Sequence, residues 1–242
     1  MCAQQNGRRT MNYLRNPIDI NALADEAIAR AVRLSAQKEK TNTTNQSPVS
    51  PVSPKYYLTN DIIDVDGHKL QRIQAARDIP EIGVQEGDLG GFIESERNLS
   101  HKGTCWVFAG CVYEQAQITG GATVRGEKVR IHDSAILSDG FTAYDSAHLH
   151  GHFRGSGCAK ACGRADAGDY AIQKGSSYLA GSAIMRGHAI LGGNARADGS
   201  TVMTQRAEFC GNFETFGGNY TSGVMGRSAG DCRRQKELQK IR

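Results

Sequence analysis

Small or aliphatic side chains recur every six residues through the second half of the chain, from Val129 to Val224. In most of these units a second apolar residue follows two positions after the first. Asp or Gly stands four positions after the first residue in fifteen of the sixteen units, and Gln205 is the exception. The units begin at Val129, Ala135, Phe141, Ala147, Phe153, Ala159, Ala165, Ala171, Ser177, Ala183, Ala189, Ala195, Thr201, Ala207, Phe213 and Asn219.

This period predicts a short strand followed by a tight turn, repeated without interruption. Alternate side chains of a strand share one face, so the first and third residues of each unit point the same way. Asp and Gly tolerate the left-handed backbone that a tight turn requires. Because such units can bury their apolar positions only against neighbouring units, the pattern indicates a β-solenoid.

Four earlier units fit the same pattern one residue out of phase, with Lys128 as the extra residue. They begin at Thr104, Gly110, Ala116 and Ala122. Within single units a large inward residue is combined with a small one, as a narrow and densely packed interior requires. The pairs are Phe141 with Ala143, Phe153 with Gly155, and Phe213 with Thr215.

The chain before the solenoid divides into three segments. The spacing of apolar residues in 1–40 predicts one flexible helix, which is either frayed on the surface or docked on a partner or a second copy. Residues 41–54 form a flexible linker that is polar and rich in proline. Residues 55–103 form a small β cap that contains a hairpin with Asp66-Gly67 at its turn. The solenoid itself occupies residues 104–226, so the predicted fold class is mainly β.

The six-residue unit resembles the hexapeptide repeat of left-handed parallel β-helix proteins, in which three units make one coil. The segment that leads into the repeats is similar to a family of β-helix proteins carried by phages and prophages. The shared motifs are RIQA at Arg72–Ala75, GGFIE at Gly90–Glu94, NLS at Asn98–Ser100, Gly103, and CW at Cys105–Trp106. The resemblance covers about residues 56–226 and implies a left-handed β-helix of six to seven coils.

Composition and charge exclude several classes of protein. The chain of 242 residues has a formal net charge of +4, which is too small to indicate nucleic-acid binding by itself. No apolar run approaches the ~18 residues of a membrane span, and the N-terminus lacks the apolar region of a signal peptide. Seven cysteines without a disulfide-scaffold spacing predict reduced thiols. We therefore expect a cytoplasmic protein, in the cytosol of a host cell, without a membrane partner.

Acyltransferase activity is the alternative function, because hexapeptide-repeat enzymes share the fold that the resemblance implies. Such enzymes build their pocket from a long loop that leaves the helix, with a histidine base beside the acyl carrier. No loop of this kind interrupts the units between Val129 and Val224. A trimeric acyltransferase with a site between subunits stays open, but we expect no catalytic residue and no cofactor.

The segment HLHGH, His148 to His152, places histidines in columns along the predicted coils. With eighteen residues in each coil, the columns are His132 with His150, His148 with Arg130 and Asp166, and His152 with Tyr170 and His188. We interpret them as histidine ladders on a solvated surface, with a zinc site as the alternative. Cys158 and Cys162 project from different edges of a coil, which disfavours a metal pair.

The tail, residues 227–242, has six basic and two acidic residues, whereas residues 104–226 carry ten of each. The neutral solenoid disfavours mimicry of DNA, and the tail has no aromatic residues for base stacking. The tail either caps the open end of the solenoid or contacts an acidic partner or nucleic acid. Its candidate partner-binding residues are Arg233, Arg234, Lys236, Lys240 and Arg242.

The sequence therefore predicts a non-enzymatic interaction protein of a phage or mobile element, which binds a host protein or protein complex. The usual setting of the family that it resembles favours inhibition of a bacterial defence complex. Self-association into a homo-oligomer stays open, and nucleic acid is not indicated as a partner.

Overall fold

A computed structural model describes residues 54–226, which form one continuous β-sheet with two short 3-10 helices, Pro80–Ile82 and Glu96–Asn98. The strands are Tyr56–Val65 (β1), His68–Ala75 (β2), Leu89–Ile93 (β3), Trp106–Val112 (β4), Gln117–Ile118 (β5), Thr123–Ile131 (β6), Ile136–Leu137 (β7), Thr142–Tyr144 (β8), His148–Leu149 (β9), Arg154–Gly155 (β10), Lys160–Ala161 (β11), Asp166–Ala167 (β12), Ile172–Gln173 (β13), Tyr178–Leu179 (β14), Ile184–Met185 (β15), Ile190–Leu191 (β16), Arg196–Ala197 (β17), Val202–Phe209 (β18), Glu214–Thr215 (β19) and Asn219–Met225 (β20).

The short strands stack in three parallel ladders, because each strand pairs with the strand eighteen residues further along the chain. Arg154 thus pairs with Ile172, and Tyr178 pairs with Arg196. The backbone winds through about seven turns, so the prediction of a parallel β-helix is confirmed. The predicted helix in residues 1–40, the linker to residue 53 and the basic tail lie outside the described residues.

Each ladder forms one face of the coil. We number the three faces and define each by the residues at the middle position of its units. The first face carries Gln117, Ile136, Arg154, Ile172, Ile190 and Glu208. The second face carries Thr123, Thr142, Lys160, Tyr178, Arg196 and Glu214. The third face carries Cys111, Arg130, His148, Asp166, Ile184 and Val202.

The interior is filled by the first and third residues of the units, as the sequence predicts. Leu137, Leu149 and Leu191 are fully buried, and the alanines that begin most units are buried with them. Large and small residues compensate each other. The Phe141 and Phe153 rings meet edge to face at 6.0 Å, and a Cβ on Gly155 would lie 2.7 Å from a Phe141 ring atom.

The corners between faces use left-handed backbone at the position where the sequence has Asp or Gly. From residue 133 to residue 211 the φ angles at these corners lie between 52° and 75°, and even Gln205 adopts this conformation. Aspartate serves at corners because its carboxylate also accepts a hydrogen bond from the next coil. The Gly151 amide donates to Asp133 at 2.7 Å, and the Gly187 amide donates to Asp169 at 2.8 Å.

The phase shift in the repeats is real, but the first predicted unit is placed one residue too early. Thr123 pairs with Thr142, so that coil holds one residue more than the regular eighteen, as the extra Lys128 predicts. Val107 pairs with Val124, and Cys105 is fully buried, so this unit begins at Cys105 rather than Thr104. The physical reason lies in the cap. Trp106 pairs with Thr123 on the second face and is buried there beside Tyr56, its ring centroid 6.4 Å away.

The N-terminal cap extends the sheet rather than lying across its open end. Strands β1 and β2 form the predicted hairpin, with Asp66 and Gly67 at the turn. Strand β3 pairs antiparallel with β2 and in parallel with β4, where Ile93 lies opposite Val112. Strand β3 therefore joins the antiparallel hairpin of the cap to the parallel ladder of the third face. Its first described residues are anchored by Lys55, whose buried amine donates to the carbonyl of Cys105 at 2.7 Å.

At the opposite end the last predicted unit is also one residue out of register. Met203 pairs with Tyr220, so Tyr220 rather than Thr221 takes the inward position. The Tyr220 ring packs edge to face on Phe209, with centroids 4.8 Å apart, and its hydroxyl lies 3.0 Å from the Thr215 hydroxyl. Tyr220 is therefore partly buried and covers the last apolar residues of the interior.

We predict that Leu191→Asp unfolds the β-helix, because a carboxylate without a partner in this interior costs several kcal/mol. Leu191 is fully buried. Ile172→Asp is the matched control, since Ile172 occupies the outward middle position beside Arg154. Urea unfolding followed by circular dichroism measures both. Equal unfolding midpoints for the two variants would show that the assignment of inward and outward positions is wrong.

Candidate metal centre

A cluster of imidazoles and carboxylates lies at the edge of the third face, on its first coils. His148 lies in β9 at the middle position of its unit, and its neighbours in the ladder are Arg130 and Asp166. The His132 and His150 rings, one coil apart, stack with centroids 5.5 Å apart. The columns predicted from the repeat are thus confirmed. The column of His152, Tyr170 and His188 is confirmed as well, by ring stacking at 4.7 Å and 5.2 Å.

Two of these imidazoles converge on one carboxylate oxygen of Asp166. Oδ1 of Asp166 lies 3.2 Å from Nε2 of His150 and 3.5 Å from Nδ1 of His148. The other oxygen, Oδ2, accepts a hydrogen bond of 2.6 Å from Nη2 of Arg186. His148 and His150 share one coil, Asp166 lies on the next, and Arg186 lies on the coil after that. The group therefore joins three successive coils.

A second group lies beside the first and consists of Glu114, His132 and Asp133. Nδ1 of His132 is 3.5 Å from Oδ1 of Asp133 and 3.9 Å from Oε2 of Glu114. The Asp133 amide donates to Glu114 Oε2 at 2.6 Å. The two groups are linked directly, because Nε2 of His132 lies 2.7 Å from Nε2 of His148.

The cap continues this polar network. Nδ1 of His68 lies 3.1 Å from Glu94, and its Nε2 lies 3.4 Å from Glu114. The second Glu94 oxygen accepts the amide of Glu114 at 2.6 Å. A surface depression at this junction is lined by His68, Glu94, Ser95, Arg97, Glu114 and Gln115.

The electrostatics follow from these contacts. Burial alone would raise the pKa of Asp166, but hydrogen bonds from His148, His150 and Arg186 outweigh it and hold that pKa far below its usual range. Burial lowers the pKa of His132 against the opposing charge of Asp133, and the neighbouring imidazoles lower it further. At the cap, the hydrogen bond with Glu94 raises the pKa of His68 and lowers that of Glu94.

Sequence reasoning found the histidines but missed Glu114, Asp133 and Arg186. Glu114 and Asp133 are corner residues of two successive coils, both with left-handed backbone, so a count of nineteen residues across the Lys128 insertion places them in one column. No such signal exists for Arg186, because its long side chain reaches back one coil to Asp166. The contribution of His68 depends on the path of the cap, which the repeat does not determine.

The other candidates do not join the cluster. Cys105, Cys111, Cys158 and Cys162 are free thiols. Cys158 is exposed, whereas Cys162 is buried with its thiol 3.1 Å from the Tyr178 hydroxyl. Among the described residues, the groups with converging metal-ligand atoms are His148, His150 and Asp166, and Glu114, His132 and Asp133. The tail residues Arg233, Arg234, Lys236, Lys240 and Arg242 lie outside the described part of the chain.

Comparison with known proteins adds no identification. No protein-family model matches the chain, and no curated protein sequence matches it. Within residues 54–226, no helix has the length and apolar character needed to cross a membrane.

The His68–Glu94 contact predicts a pH dependence with a definite sign. The pKa of His68 is raised above its ordinary value of 6.5. The stabilisation from this pair is therefore lost as the pH rises from 6.5 through the raised pKa of His68, and also as the pH falls from 4.5 through the lowered pKa of Glu94. We expect the His68 ring, followed by NMR, to titrate above 6.5 in the wild type and closer to 6.5 in Glu94→Gln. An unchanged His68 titration in that variant would contradict the assignment.

Proposed function

We propose that this protein is a non-enzymatic interaction protein of a phage or mobile element, which acts in the host cytosol and binds a host protein complex through a flat face of its β-helix. Inhibition of a bacterial defence complex is the role that we propose for this binding. The phage setting and the host partner rest on the lead-in motifs that resemble the phage-borne family. The cytosolic setting rests on the seven cysteines without a disulfide-scaffold spacing, which predict reduced thiols.

The regularity of the coils supports binding over catalysis. The spacing between paired residues stays at eighteen from Arg130 with His148 to Arg196 with Glu214. Each corner in this stretch is a short turn, so no loop leaves the coil to form a lid or the wall of a deep cleft. Small-molecule sites are concave and enclose most of their ligand, which a flat ladder does not do. The runner-up, a trimeric acyltransferase, would need a site completed by a second subunit.

The observation that carries the proposal is the composition of the first face. Its middle positions point outward, yet three of them are isoleucines: Ile136, Ile172 and Ile190. All three keep part of their surface exposed. Tyr170, at the adjoining corner, is 54% exposed and stacks between His152 and His188.

The second face provides the comparison within the same coils. Its middle positions carry Thr142, Lys160 and Arg196 among others, as a solvated ladder should. Ile172 and Ile190 are adjacent rungs and form a short apolar strip with Tyr170, whereas Arg154 separates them from Ile136. An exposed apolar strip on a rigid and flat surface is typical of a protein-binding site, and aromatic residues are enriched at such sites. We therefore assign the partner-binding surface to the first face around Ile172 and Ile190.

We predict that Ile172→Lys and Ile190→Lys each weaken partner binding by at least about tenfold, because each places a charge in the apolar strip. Ile184→Lys is the matched control, since Ile184 has the same position in its unit on the third face. The partner is first captured from a bacterial lysate and identified by mass spectrometry, and its affinity is then measured by biolayer interferometry. Equal affinity for all three variants would reject the first face, and light scattering shows whether the partner is a second copy.

We also predict that acetyl-CoA leaves the melting temperature of the protein unchanged. A ligand that binds only the native state raises the melting temperature, and the proposed function includes no acyl-carrier site. Differential scanning fluorimetry across a series of acetyl-CoA concentrations makes the measurement. A saturable increase of several degrees would favour the acyltransferase instead.

A further inference from the structure

We propose that His148, His150 and Asp166 form a binding site for one divalent transition-metal ion, with zinc as the best fit, and that His132 supports this site by a hydrogen bond. The inference goes beyond the proposed function. It concerns the third face, whereas the partner is assigned to the first face.

The distances within the group are those of a metal site. Zinc binds imidazole nitrogen and carboxylate oxygen at about 2.0–2.2 Å, so two ligand atoms of a tetrahedral site lie ~3.4 Å apart. Oδ1 of Asp166 lies 3.2 Å from Nε2 of His150 and 3.5 Å from Nδ1 of His148. The three ligand atoms all lie within 4.8 Å of one another. Little movement is therefore needed to enclose an ion.

Arg186 holds the carboxylate in the required orientation. Its Nη2 donates a hydrogen bond to Oδ2 of Asp166 at 2.6 Å, and its Nη1 donates to the carbonyl of Met185 at 3.1 Å. Asp166 is thus prevented from rotating and offers Oδ1 alone, as a ligand that binds through one oxygen. Residues that fix metal ligands in this way contribute substantially to metal affinity.

His132 completes the arrangement and limits it to one ion. If Nδ1 of His148 binds the ion, its Nε2 carries a proton, which it donates to Nε2 of His132 at 2.7 Å. Nδ1 of His132 then carries a proton toward Asp133, 3.5 Å away. A second ion on Nδ1 of His132 would leave two N–H groups facing each other across 2.7 Å. The two groups of potential ligands therefore form one site and its support.

Gly168 leaves the space that His150 needs. A Cβ at Gly168 would approach Nε2 of His150 to 2.7 Å, so the imidazole lies over a backbone without a side chain. The remaining surface of the site faces solvent, since the side chain of His148 is 41% exposed. Three protein ligands and an accessible side are the arrangement of a zinc site that retains a water ligand. Because the ligands come from two successive coils, the ion would join those coils and stabilise them.

The test measures zinc binding to the full-length, reduced protein in competition with a chromophoric chelator. We expect one zinc ion in the wild type and loss of this binding in Asp166→Asn and His150→Asn. We expect His132→Phe to weaken it by about 10- to 100-fold without changing the number of ions, as for other residues that support metal ligands. Gly168→Ala should weaken binding through His150 alone. Circular dichroism shows whether each variant keeps the β-helix.

His188→Asn is the matched control, because His188 lies in the other histidine column, stacked on Tyr170. It should bind zinc as the wild type does. The absorption spectrum with cobalt in place of zinc should lack a thiolate charge-transfer band. The proposal is overturned if Asp166→Asn binds zinc as tightly as the wild type, if His188→Asn loses binding equally, or if the cobalt spectrum shows thiolate ligands. Since Asp166→Asn and His150→Asn leave Ile172 and Ile190 of the first face intact, loss of zinc without loss of partner binding in these two variants separates this inference from the proposed function.

Discussion

Hydrogen bonds between successive coils are the interaction on which the rest of this structure depends. The amide of Arg154 donates to the carbonyl of Ala171, and that of Ile172 donates to Ala189, each on the next coil. These bonds are available only if every coil has the same length, so the six-residue unit has to be kept in phase. The inward alanines and leucines then stack in columns, and the interior is filled by neighbouring coils rather than by a separate layer. A change of one residue must be absorbed at a bulge, as in the coil that contains Lys128.

This dependence explains how much of the structure could be predicted from the sequence. Inward and outward positions, the corners and the stacking of His132 on His150 follow from counting residues, because the coil length is constant. The burial of residues at the two ends of the coil could not be predicted by counting. Trp106 is covered by the cap, and Tyr220 turns inward after a shortened coil, so apolar residues at the ends are buried by contacts that the repeat does not encode. Of the candidate metal centre, the sequence predicted only the columns of stacked residues. The contact of Arg186 with Asp166 could not be predicted, because the repeat does not determine the direction of a long outward side chain.

The constant coil length also allows the three faces to differ in the chemistry of their outward side chains. Middle positions contribute nothing to the interior, so they are free to vary from coil to coil without loss of the ladder. On the first face they carry the apolar strip around Ile172, and on the third face they carry His148 and Asp166 beside Ile184. A rigid ladder holds such groups at a fixed spacing of about 4.8 Å between coils. Recognition therefore needs no loop, and two independent sites fit on one short coil without disturbing each other.

The central claim is that residues one coil apart lie on one straight face, and a distance between two spin labels tests it most directly. Labels on noncanonical residues at Gln117 and Glu208 are separated by five coil steps of the first face. Labels at Thr123 and Glu214 are separated by five steps of the second face. Pulsed electron–electron double resonance should give a narrow distribution of distances between the two labels, near ~24 Å for both pairs. A broad distribution, or means that differ clearly between the two faces, would contradict the account.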